Sequence, residues 1–569
     1  MKMKKYARAV MPIVMAAGLA ALPTAAWAQS DATLTNLVPS VGSLTPSFDS
    51  GTFSYTASVF NSVTNLTVTP TASDVLATIT VNGSIVASGN ASDPIGLSEG
   101  ANVITNVVVS QDTTATNTYT LTVTRSAPAS RWWDGGSVNI GGDGDGASTG
   151  GAGTWDTTIQ NWDAGAVPHV AWNNANNDTA IFGGAGGTVT LGAGITVGGV
   201  IIDTTANYTF QTSGIGGSGT LTKSGSGTLT LSSANTYSGG TVINAGTVAV
   251  GADNQLGAVA GGITFNGTPT FGNDGSWTID AGRTITLNAG AKPSFNFGGG
   301  TIAGPVVGSG GFSVNKPSQG NPGLSLTSTN NTFTGAMNLP DKGAGGNASY
   351  TFNSMGDAPG ADIISLGYGG QGSDFYWGSG AAAPLVLNYR KFDFGAGSIN
   401  NNNTASSHAN TITVNTDLLA TGTGNRTLTL GGSNTGANTF AGKIANGANA
   451  VISLTKAGNG TWFLSGTNTY SGATTVSGGT LVLAGSKCLS DTANLTLQAG
   501  AKVRLEEKVK EMVGALYFGA VQQAAGSWGS SSSAADNKND TYFLGSGVLY
   551  AGVEPPPDSP TDGAILIVK

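Results

Sequence analysis

Five tryptophans that stand close together in the N-terminal third of the chain have the clearest chemical potential. Flat indole faces can stack on pyranose rings, so the cluster could form a glycan-binding platform. The same rings could instead close the open end of a repeat fold, because large aromatic side chains cover an exposed core and sheet edge. We favour the closing role and keep glycan stacking as the alternative. The five residues are Trp132, Trp133, Trp155, Trp162 and Trp172.

Acid–base catalysis would require carboxylates paired with each other, or with basic side chains, in a groove. The nearest candidate is Tyr389-Arg390-Lys391-Phe392-Asp393, in which two bases stand close to one acid. The segment Asp374-Phe375-Tyr376-Trp377 is a second aromatic and acidic group. Neither segment has a recognisable catalytic partner residue at a defined spacing in the sequence. We therefore interpret both as surface charge and predict that the protein has no catalytic residues and is not an enzyme.

Metal and cofactor chemistry has few possible ligands in this sequence. The chain contains one cysteine, Cys488, and two histidines, His169 and His408, which we expect to be structural. Residues 141–146 (GGDGDG) resemble a calcium-binding nonapeptide, but that motif needs an aspartate where this chain has Gly146. We therefore predict no metal site and no cofactor.

The composition excludes several classes of protein and favours an extended β protein. Only 9% of the 569 residues are charged, the formal net charge is −8 and the pI is about 4.7. Nucleic-acid binding depends on clustered Lys and Arg, so we exclude it. Glycine occurs 89 times, but without the strict three-residue period of collagen.

Residues 1–28 have the pattern of a secretory signal peptide. Four basic residues among the first eight precede an apolar stretch from 9 to 22, and Ala26-Trp27-Ala28 is a small-x-small cleavage site. A membrane anchor is the alternative, but the stretch is short for a spanning helix. We predict a secreted protein, extracellular or at the outer cell surface with the periplasm as the alternative, and no transmembrane segment in the mature chain.

Strict alternation of apolar and polar residues between about 33 and 125 predicts strands that are covered on one face. Phe53, Tyr55, Ala57 and Val59 share one face of such a strand, with Ser and Thr on the other. Strands of this length at turn-bounded intervals are typical of a β-sandwich.

This segment resembles the cadherin-like β-sandwich of bacterial surface proteins. The matching stretches include Leu44-Thr45-Pro46-Ser47-Phe48, Val81-Asn82-Gly83 and the closing run from Tyr119 to Arg125. The resemblance implies a spacer or adhesion module, to which we assign residues 29–127. The resemblance does not imply calcium binding, because this segment has no run of carboxylates that could coordinate the ion.

An internal repeat is the most informative feature of the sequence. Residues 221–251 and 454–484 align without a gap and share 16 identities across 31 positions. A shorter phrase, Asn-Thr-aromatic-x-Gly, occurs four times. Its defining residues are Asn235, Tyr237, Gly239, Asn331, Phe333, Gly335, Asn438, Phe440, Gly442, Asn468, Tyr470 and Gly472.

The repeat predicts an all-β solenoid. Short half-buried strands, such as Leu229 to Leu231, are separated by Gly and Asn turns and can bury their apolar faces only by stacking on similar units. We predict a right-handed parallel β-helix over residues 185–500, with about 13 turns of roughly 20–25 residues. The asparagines of the repeated phrase could stack as a ladder, each amide bonding its neighbours.

The segments on either side of the repeats are predicted to cap this solenoid. We assign residues 128–184 to a tryptophan-rich linker and N-terminal cap, and residues 501–552 to C-terminal capping strands. Residues 553–569 begin with three prolines at 555–557 and are predicted to be a flexible tail.

The two clear repeat copies resemble the autotransporter-associated β-strand repeat, with its Gly-x-Gly-Thr-Leu-x-Leu and Asn-Thr-Tyr-Ser-Gly phrases. In that family the repeat lies in secreted passenger regions of Gram-negative bacteria and is thought to aid passage through the outer membrane. Only about 70 residues follow the last repeat here, fewer than the membrane-inserted region of a complete autotransporter. We therefore expect export to need separate machinery.

Three functions remain open from the sequence. The first is a non-catalytic structural or adhesion-type protein of the cell surface, whose β-helical stalk presents the sandwich to extracellular glycans or other cell-surface proteins. The second is an extracellular polysaccharide-binding or polysaccharide-degrading β-helix protein. The third is a passenger whose sequence is cut short.

Overall fold

The described part of the chain divides into two compact units, with the boundary between Ala127 and Pro128. The computed structural model describes residues 29–135, 144–273, 275–315, 323–340, 348–368, 373–395, 397–403 and 408–557. The predicted signal peptide, and the predicted tail beyond residue 557, lie outside these ranges. The described residues contain strands and a few short 3-10 turns but no α-helix, which agrees with the all-β prediction.

The first unit is a β-sandwich, as the alternation of residues predicted. Its larger sheet pairs in the order Ser54–Val59, Thr116–Arg125, Gly100–Val109, Thr78–Val81 and Ser84–Val86. Two antiparallel pairs complete the sandwich: Leu34–Pro39 with Val68–Ala72, and Asn65–Leu66 with Ile95–Gly96.

The predicted inward face of the strand Ser54–Val59 is confirmed for Tyr55, Ala57 and Val59, which are buried. Phe53 differs from the prediction, because it precedes the strand and is 43% exposed. Its ring rests against the ring of Tyr119, with centroids 5.0 Å apart. The buried face of the strand therefore begins at Tyr55, two positions later than the sequence indicated.

The second unit is a parallel β-solenoid of about 13 turns, as the repeat predicted. Residues one turn apart lie directly above one another in register. Lys223 pairs with Ile243, Ile243 with Phe265, and Phe265 with Leu287, so these turns take 20 to 22 residues each. All four side chains point inward and are buried, which gives the solenoid a continuous interior.

Four long sheets form the walls of the solenoid in the described residues. Sheet 1 contains Trp162–Asp163, Ser130–Trp133, Thr179–Phe182, Gly199–Ile202, Thr220–Lys223, Thr241–Ile243, Ile263–Phe265, Ile285–Leu287 and Val306–Gly308. Sheet 2 contains Gly153–Trp155, Gly187–Leu191, Tyr208–Gln211, Thr228–Leu231, Thr247–Ala249, Thr270–Phe271, Ser294–Phe295, Phe312–Val314, Met337–Pro340, Ile364–Tyr368 and Phe392–Phe394. Sheet 3 contains Thr278–Ile279, Gly298–Ile302, Gly323–Leu326, Ala348–Phe352, Ser373–Trp377, Gly397–Asn401, Arg426–Gly432, Ile452–Lys456, Thr474–Val476, Asn494–Leu497, Ala515–Phe518 and Val521–Gln522. Sheet 4 contains Leu385–Leu387, Ile412–Val414, Asn438–Phe440, Thr461–Leu464, Thr480–Leu483, Lys502–Leu505 and Phe543–Leu544.

Smaller elements complete the second unit. A two-stranded parallel pair joins Ile195–Thr196 to Ile215–Gly216. A small sheet near the C-terminal end contains Lys510–Val513, Val548–Ala551, Gly526–Gly529 and Asn537–Lys538. The 3-10 turns are Asn174–Asn176, Asp253–Leu256 and Val259–Gly261. Among the described residues, no helix has the length and apolar character needed to cross a lipid bilayer.

One hydrophobic core runs through the whole solenoid, from Trp133 to Ala551. Each turn contributes only a few apolar side chains, so burial depends on the turns above and below. Aromatic rings contact one another along this interior, as Phe295 does with Phe312 at a centroid distance of 5.2 Å. Complete burial of a Phe side chain contributes about 1.5–3 kcal/mol.

The parallel pairing extends beyond the expected boundaries of 185 and 500. Ser130–Trp133 already pairs in parallel with Thr179–Phe182, inside the segment assigned to the N-terminal cap. At the other end, Asn494–Leu497 pairs in parallel with Ala515–Phe518, which is in the expected capping segment. These outer strands lack the repeated phrase, so the sequence carried no signal that they join the same sheets.

Candidate functional site

The tryptophan cluster lies at the start of the solenoid core. Trp133, Trp155 and Trp162 are completely buried and Trp172 is 2% exposed. The rings of Trp155 and Trp162 meet edge to face with centroids 4.9 Å apart, and Trp155 meets Trp172 in the same way at 5.1 Å. These are favourable arrangements for aromatic pairs in a packed interior.

Buried rings present no face to a sugar, so the structure does not support glycan stacking by four of the five tryptophans. Two of the four buried indole N–H groups bond to backbone: Trp133 Nε1 donates to the Gly151 carbonyl at 2.9 Å, and Trp172 Nε1 to the Thr196 carbonyl at 3.0 Å. Only Trp132 is partly exposed. The alternative role of covering the end of the core fits this burial.

Arg390 is completely buried, which corrects its interpretation as surface charge. Its guanidinium donates hydrogen bonds to the carbonyls of Gly356, Gly335 and Phe333 at 2.7, 2.9 and 2.8 Å. Its central carbon also lies 5.2 Å from the centroid of the Phe333 ring. Burial lowers the pKa of Arg390 to about 10, although Asp357 and Asp362 oppose the shift. Arg390 therefore stays charged at neutral pH and binds backbone within the fold.

Asp393, from the same segment, lines an open groove of about 350 Å³ together with Arg426. Both oxygens of Asp393 accept bonds from Thr421, one from its backbone N–H at 3.1 Å and one from its hydroxyl at 2.6 Å. No second carboxylate is among the described lining residues. The two-carboxylate chemistry of glycoside hydrolysis therefore has no counterpart in this groove.

The second aromatic and acidic segment also serves structure. Asp374 lies in the sheet 3 strand Ser373–Trp377 and accepts a hydrogen bond from the Ser398 hydroxyl of the next turn at 2.5 Å. Burial and the neighbouring Asp374 raise the pKa of Tyr376. The bond between Ser398 and Asp374 therefore joins adjacent turns.

The asparagines of the repeated phrase each connect three consecutive turns. Asn468 Oδ1 accepts from the backbone N–H of Ile444 in the preceding turn, and Asn468 Nδ2 donates to the Cys488 carbonyl in the following turn, both at 2.7 Å. The corresponding bonds join Asn235 to Ile215 and Gln255, Asn331 to Val306 and Ser354, and Asn438 to Ile412 and Thr461. The asparagines of the motif therefore supply hydrogen-bond partners to buried backbone groups at the ends of strands.

Asparagine side chains bond to one another between turns, and of the repeated phrase Asn438 takes part, accepting from Asn401 Nδ2 at 2.6 Å. Asn266 Nδ2 donates to Asn244 Oδ1 at 2.7 Å, and Asn288 Nδ2 donates to Asn266 Oδ1 at 2.8 Å. Asn415 and Asn388 form a similar pair at 2.8 Å. The expected ladder is therefore found mainly at other asparagines, because the amides of Asn235, Asn331 and Asn468 bond to backbone groups.

The aromatic positions of the phrase point into the core. Tyr237 and Tyr470 are buried, and each shares a hydrogen bond of 2.7 Å with a threonine four residues later, Thr241 and Thr474. The other copies have the buried rings of Phe333 and Phe440.

The glycines of the phrase allow close approach of adjacent turns. A Cβ atom on Gly442 would collide with the Thr416 carbonyl of the preceding turn, so only glycine fits. The same holds for Gly239 against Gly219, Gly335 against Gly310 and Gly472 against Ile452.

A buried lysine in each clear copy was missed by the sequence analysis. Lys223 and Lys456 occupy equivalent positions and are both completely buried. Lys456 Nζ donates to the carbonyls of Ala457, Gly458 and Gly478 at 2.8, 2.9 and 3.0 Å. Burial lowers the pKa of Lys456 to about 8. The sequence did contain a signal for this burial. The same lysine occurs in both copies, at a position that the alternation of residues places on the buried face of a strand.

His169 lies beside two aspartates. His169, Asp134 and Asp163 are all buried, and His169 Nε2 lies 3.6 Å from Asp134 Oδ2. The donor atoms of these three side chains lie close enough together to hold a metal ion, a grouping that the sequence did not indicate. His408 lies elsewhere, where its Nδ1 accepts the Thr435 backbone N–H at 3.1 Å. Of the calcium-like phrase, residues 141–143 lie outside the described part of the chain.

Glu511 is a buried carboxyl group near the C-terminal end of the solenoid. Its oxygens accept the backbone N–H groups of Leu489 at 2.6 Å and Cys488 at 3.1 Å. Burial raises the pKa of Glu511 to about 7, although those backbone bonds lower it. Burial also raises the pKa of the free Cys488 thiol to about 12, so this cysteine is not a reactive thiolate at neutral pH.

The pKa of Glu511 predicts that the solenoid is less stable at pH 7.5 than at pH 5. Between an unfolded pKa near 4.5 and a folded pKa of about 7, the folded state holds a proton that the unfolded state releases, so stability falls as pH rises. The difference corresponds to at most about 3 kcal/mol. Urea unfolding across this pH range should show the loss in the wild type and not in Glu511→Gln. Glu507→Gln, at an exposed position, should behave as the wild type; equal pH profiles for all three proteins would contradict the assignment.

Comparison with known proteins identifies both kinds of module. Residues 30–126 match the model of the cadherin-like beta sandwich domain, and residues 221–250 and 454–483 match the passenger-associated-transport-repeat. Both resemblances inferred from the sequence are thereby confirmed. The matches therefore show a cadherin-like sandwich domain and two copies of a passenger-type repeat within this chain.

Two curated relatives are similar to parts of the chain. The adhesin BmaC autotransporter of Brucella suis biovar 1 (strain 1330) is 30% identical over 296 residues, which cover 45% of this chain and 8% of that protein. A protein of Evansella cellulosilytica named "Putative membrane protein" is 39% identical over 101 residues, 18% of this chain and 15% of that protein. The chain therefore spans a small part of the length of each relative. No solved structure matches it.

Proposed function

We propose that this chain, which joins a cadherin-like sandwich to passenger repeats, is a non-catalytic adhesion protein of the bacterial surface. The solenoid serves as the stalk, and the sandwich carries a binding surface for a protein on another cell or in its matrix. The observation that carries the proposal is the similarity to an adhesin autotransporter over 45% of the chain.

The interior of the solenoid supports a structural role for this unit. The buried basic side chains of Arg390 and Lys456 donate hydrogen bonds to backbone carbonyls of neighbouring turns. Such bonds stabilise the stack of turns and leave those side chains no access to a substrate. The passenger repeats also favour a location outside the cytoplasm, secreted or on the cell surface.

The sandwich offers an exposed apolar surface on the outer face of its larger sheet. Ile85 is 80% exposed beside its cross-strand partner Thr80, and Val103 is 60% exposed beside Thr122 on the same face. Exposed aliphatic side chains favour a protein partner, because sugars are bound by stacking on aromatic rings. A glycan partner would accordingly require a different surface.

Adhesion of beads coated with the full chain tests the proposal. We expect the beads to bind cultured cells or matrix proteins well above albumin-coated beads. The double variant Ile85→Asp/Val103→Asp should reduce binding at least about fivefold, since charged groups on this face oppose an apolar contact. Val521→Asp is the matched control, because Val521 is 65% exposed on the solenoid unit.

Three outcomes would overturn parts of this proposal. Absence of binding to cells and matrix would reject adhesion. Equal binding by the double variant and the control would reject the sandwich face. Binding to a glycan array, or release of reducing sugars from a polysaccharide, would instead favour the polysaccharide function.

A further inference from the structure

We propose that Asp134, Asp163 and His169 form a binding site for a divalent transition-metal ion, best matched by Zn²⁺, at the N-terminal end of the solenoid. One donor atom from each side chain lies within 4.8 Å of the donor atoms of the other two. All three side chains are at most 1% exposed. The site is independent of the adhesive function proposed above.

The spacing of the donor atoms suits a shared ion. His169 Nε2 and Asp134 Oδ2 are 3.6 Å apart, which is longer than a hydrogen bond between these atoms. Zn²⁺ binds nitrogen and oxygen ligands at about 2.0–2.2 Å, so two donors on a tetrahedral ion lie roughly 3.3 Å apart. A contraction of a few tenths of an ångström would bring this pair onto one ion.

Backbone and hydroxyl donors already orient both carboxylates. Asp134 Oδ1 accepts the Thr149 backbone N–H at 2.7 Å and the Thr149 hydroxyl at 2.9 Å, while Oδ2 faces His169. Asp163 Oδ2 accepts the Gly146 N–H at 2.7 Å, and Asp163 Oδ1 accepts the Gly165 N–H at 2.6 Å. Outer hydrogen bonds of this kind fix metal ligands in their binding orientation.

The donor set selects among divalent ions. One imidazole and two carboxylates are typical ligands of Zn²⁺, Mn²⁺ and other first-row ions. Ca²⁺ prefers six to eight oxygen ligands, and Mg²⁺ keeps most of its waters, so a small buried site with an imidazole fits neither. Zn²⁺ accepts a low coordination number and is therefore the best match.

An ion at this place would join short segments that have little structure of their own. Asp134 follows the strand Ser130–Trp133, Asp163 ends the two-residue strand Trp162–Asp163, and His169 lies in the loop beyond it. These segments cover the tryptophan core. The ion would thus stabilise the N-terminal end of the solenoid against local unfolding.

Metal binding to the purified full chain tests the proposal directly. After chelator treatment and dialysis, we expect one equivalent of Zn²⁺ to bind in a calorimetric titration. At 100 times the Kd, Zn²⁺ should raise the unfolding midpoint by about 3 °C. Co²⁺ should give a visible absorption band that disappears when Zn²⁺ displaces it, and Ca²⁺ and Mg²⁺ should have no such effect.

Matched variants locate the ion. His169→Gln and Asp163→Asn should each lose the Co²⁺ band and reduce Zn²⁺ affinity at least about 100-fold. His408→Gln and Asp203→Asn, which change the other histidine and an exposed aspartate, should bind one equivalent as the wild type does. Far-UV circular dichroism establishes that each variant is folded.

The calorimetric titration of the wild type tests the proposed metal site even if the variants misfold. No binding of Zn²⁺, Mn²⁺ or Co²⁺ below about 100 μM, with an unchanged midpoint, would overturn the proposal. Binding that His169→Gln and Asp163→Asn retain would also overturn it, because the ion would then lie elsewhere.

Discussion

Replacing Arg390 by alanine is expected to destabilise the solenoid by about 3–5 kcal/mol. The substitution removes the donors that satisfy the buried carbonyls of Phe333, Gly335 and Gly356, and each buried carbonyl left without a donor costs about 1–3 kcal/mol. It also leaves a cavity beside the Phe333 ring. The free energy of unfolding, measured in urea by tryptophan fluorescence, should fall accordingly.

The adjacent residue provides the control for this experiment. Lys391 carries the same charge and is exposed, so Lys391→Ala should change the unfolding free energy by less than about 0.5 kcal/mol. If the two variants were equally stable, the bonds of Arg390 would not hold the turns together. If Arg390→Ala were stable but lacked a polysaccharide-cleaving activity of the wild type, Arg390 would instead serve catalysis.

Replacing Trp155 by alanine is expected to cost about 3–5 kcal/mol, because it empties the centre of the tryptophan cluster. Its ring contacts those of Trp162, Trp172 and Phe182 at centroid distances of 4.9 to 5.5 Å. Little of the void could be refilled, since the surrounding rings are held by one another. The midpoint of urea unfolding should shift strongly without loss of strand content at low urea.

Trp132→Ala is the matched control for the cluster. Trp132 is partly exposed, so its removal should cost roughly 1 kcal/mol or less. A comparable cost for the two variants would show that the cluster does not close the core. A loss of glycan binding in folded Trp132→Ala would assign the single accessible ring to a ligand.

Several features could be predicted before the fold was known because they depend on local periodicity. Two-residue alternation at Tyr55, Ala57 and Val59 reports which side of a strand is buried. The identities between 221–251 and 454–484 report a unit that stacks on itself. Both signals are contained in a few neighbouring residues, so they can be recognised without any knowledge of distant contacts.

The candidate site could not be predicted in the same way, as two cases show. Arg390 stands between the exposed residues Tyr389 and Lys391, which suggested that it is solvated. Its acceptor carbonyls, however, lie 28 to 57 residues away in sequence. Asp134 and His169 are likewise distant in sequence. No spacing rule connects such residues before the path of the chain is known.

The sequence alone therefore determined the kind of fold: an all-β chain with a sandwich followed by stacked turns, in which Gly and Asn mark the corners. Only the tertiary structure decided which polar side chains, such as Lys456 and His169, lie inside. The physical reason is that the neighbours of a residue in a solenoid come from the turns above and below it. Those neighbours depend on the register of stacking and on the length of each turn, which vary along this chain.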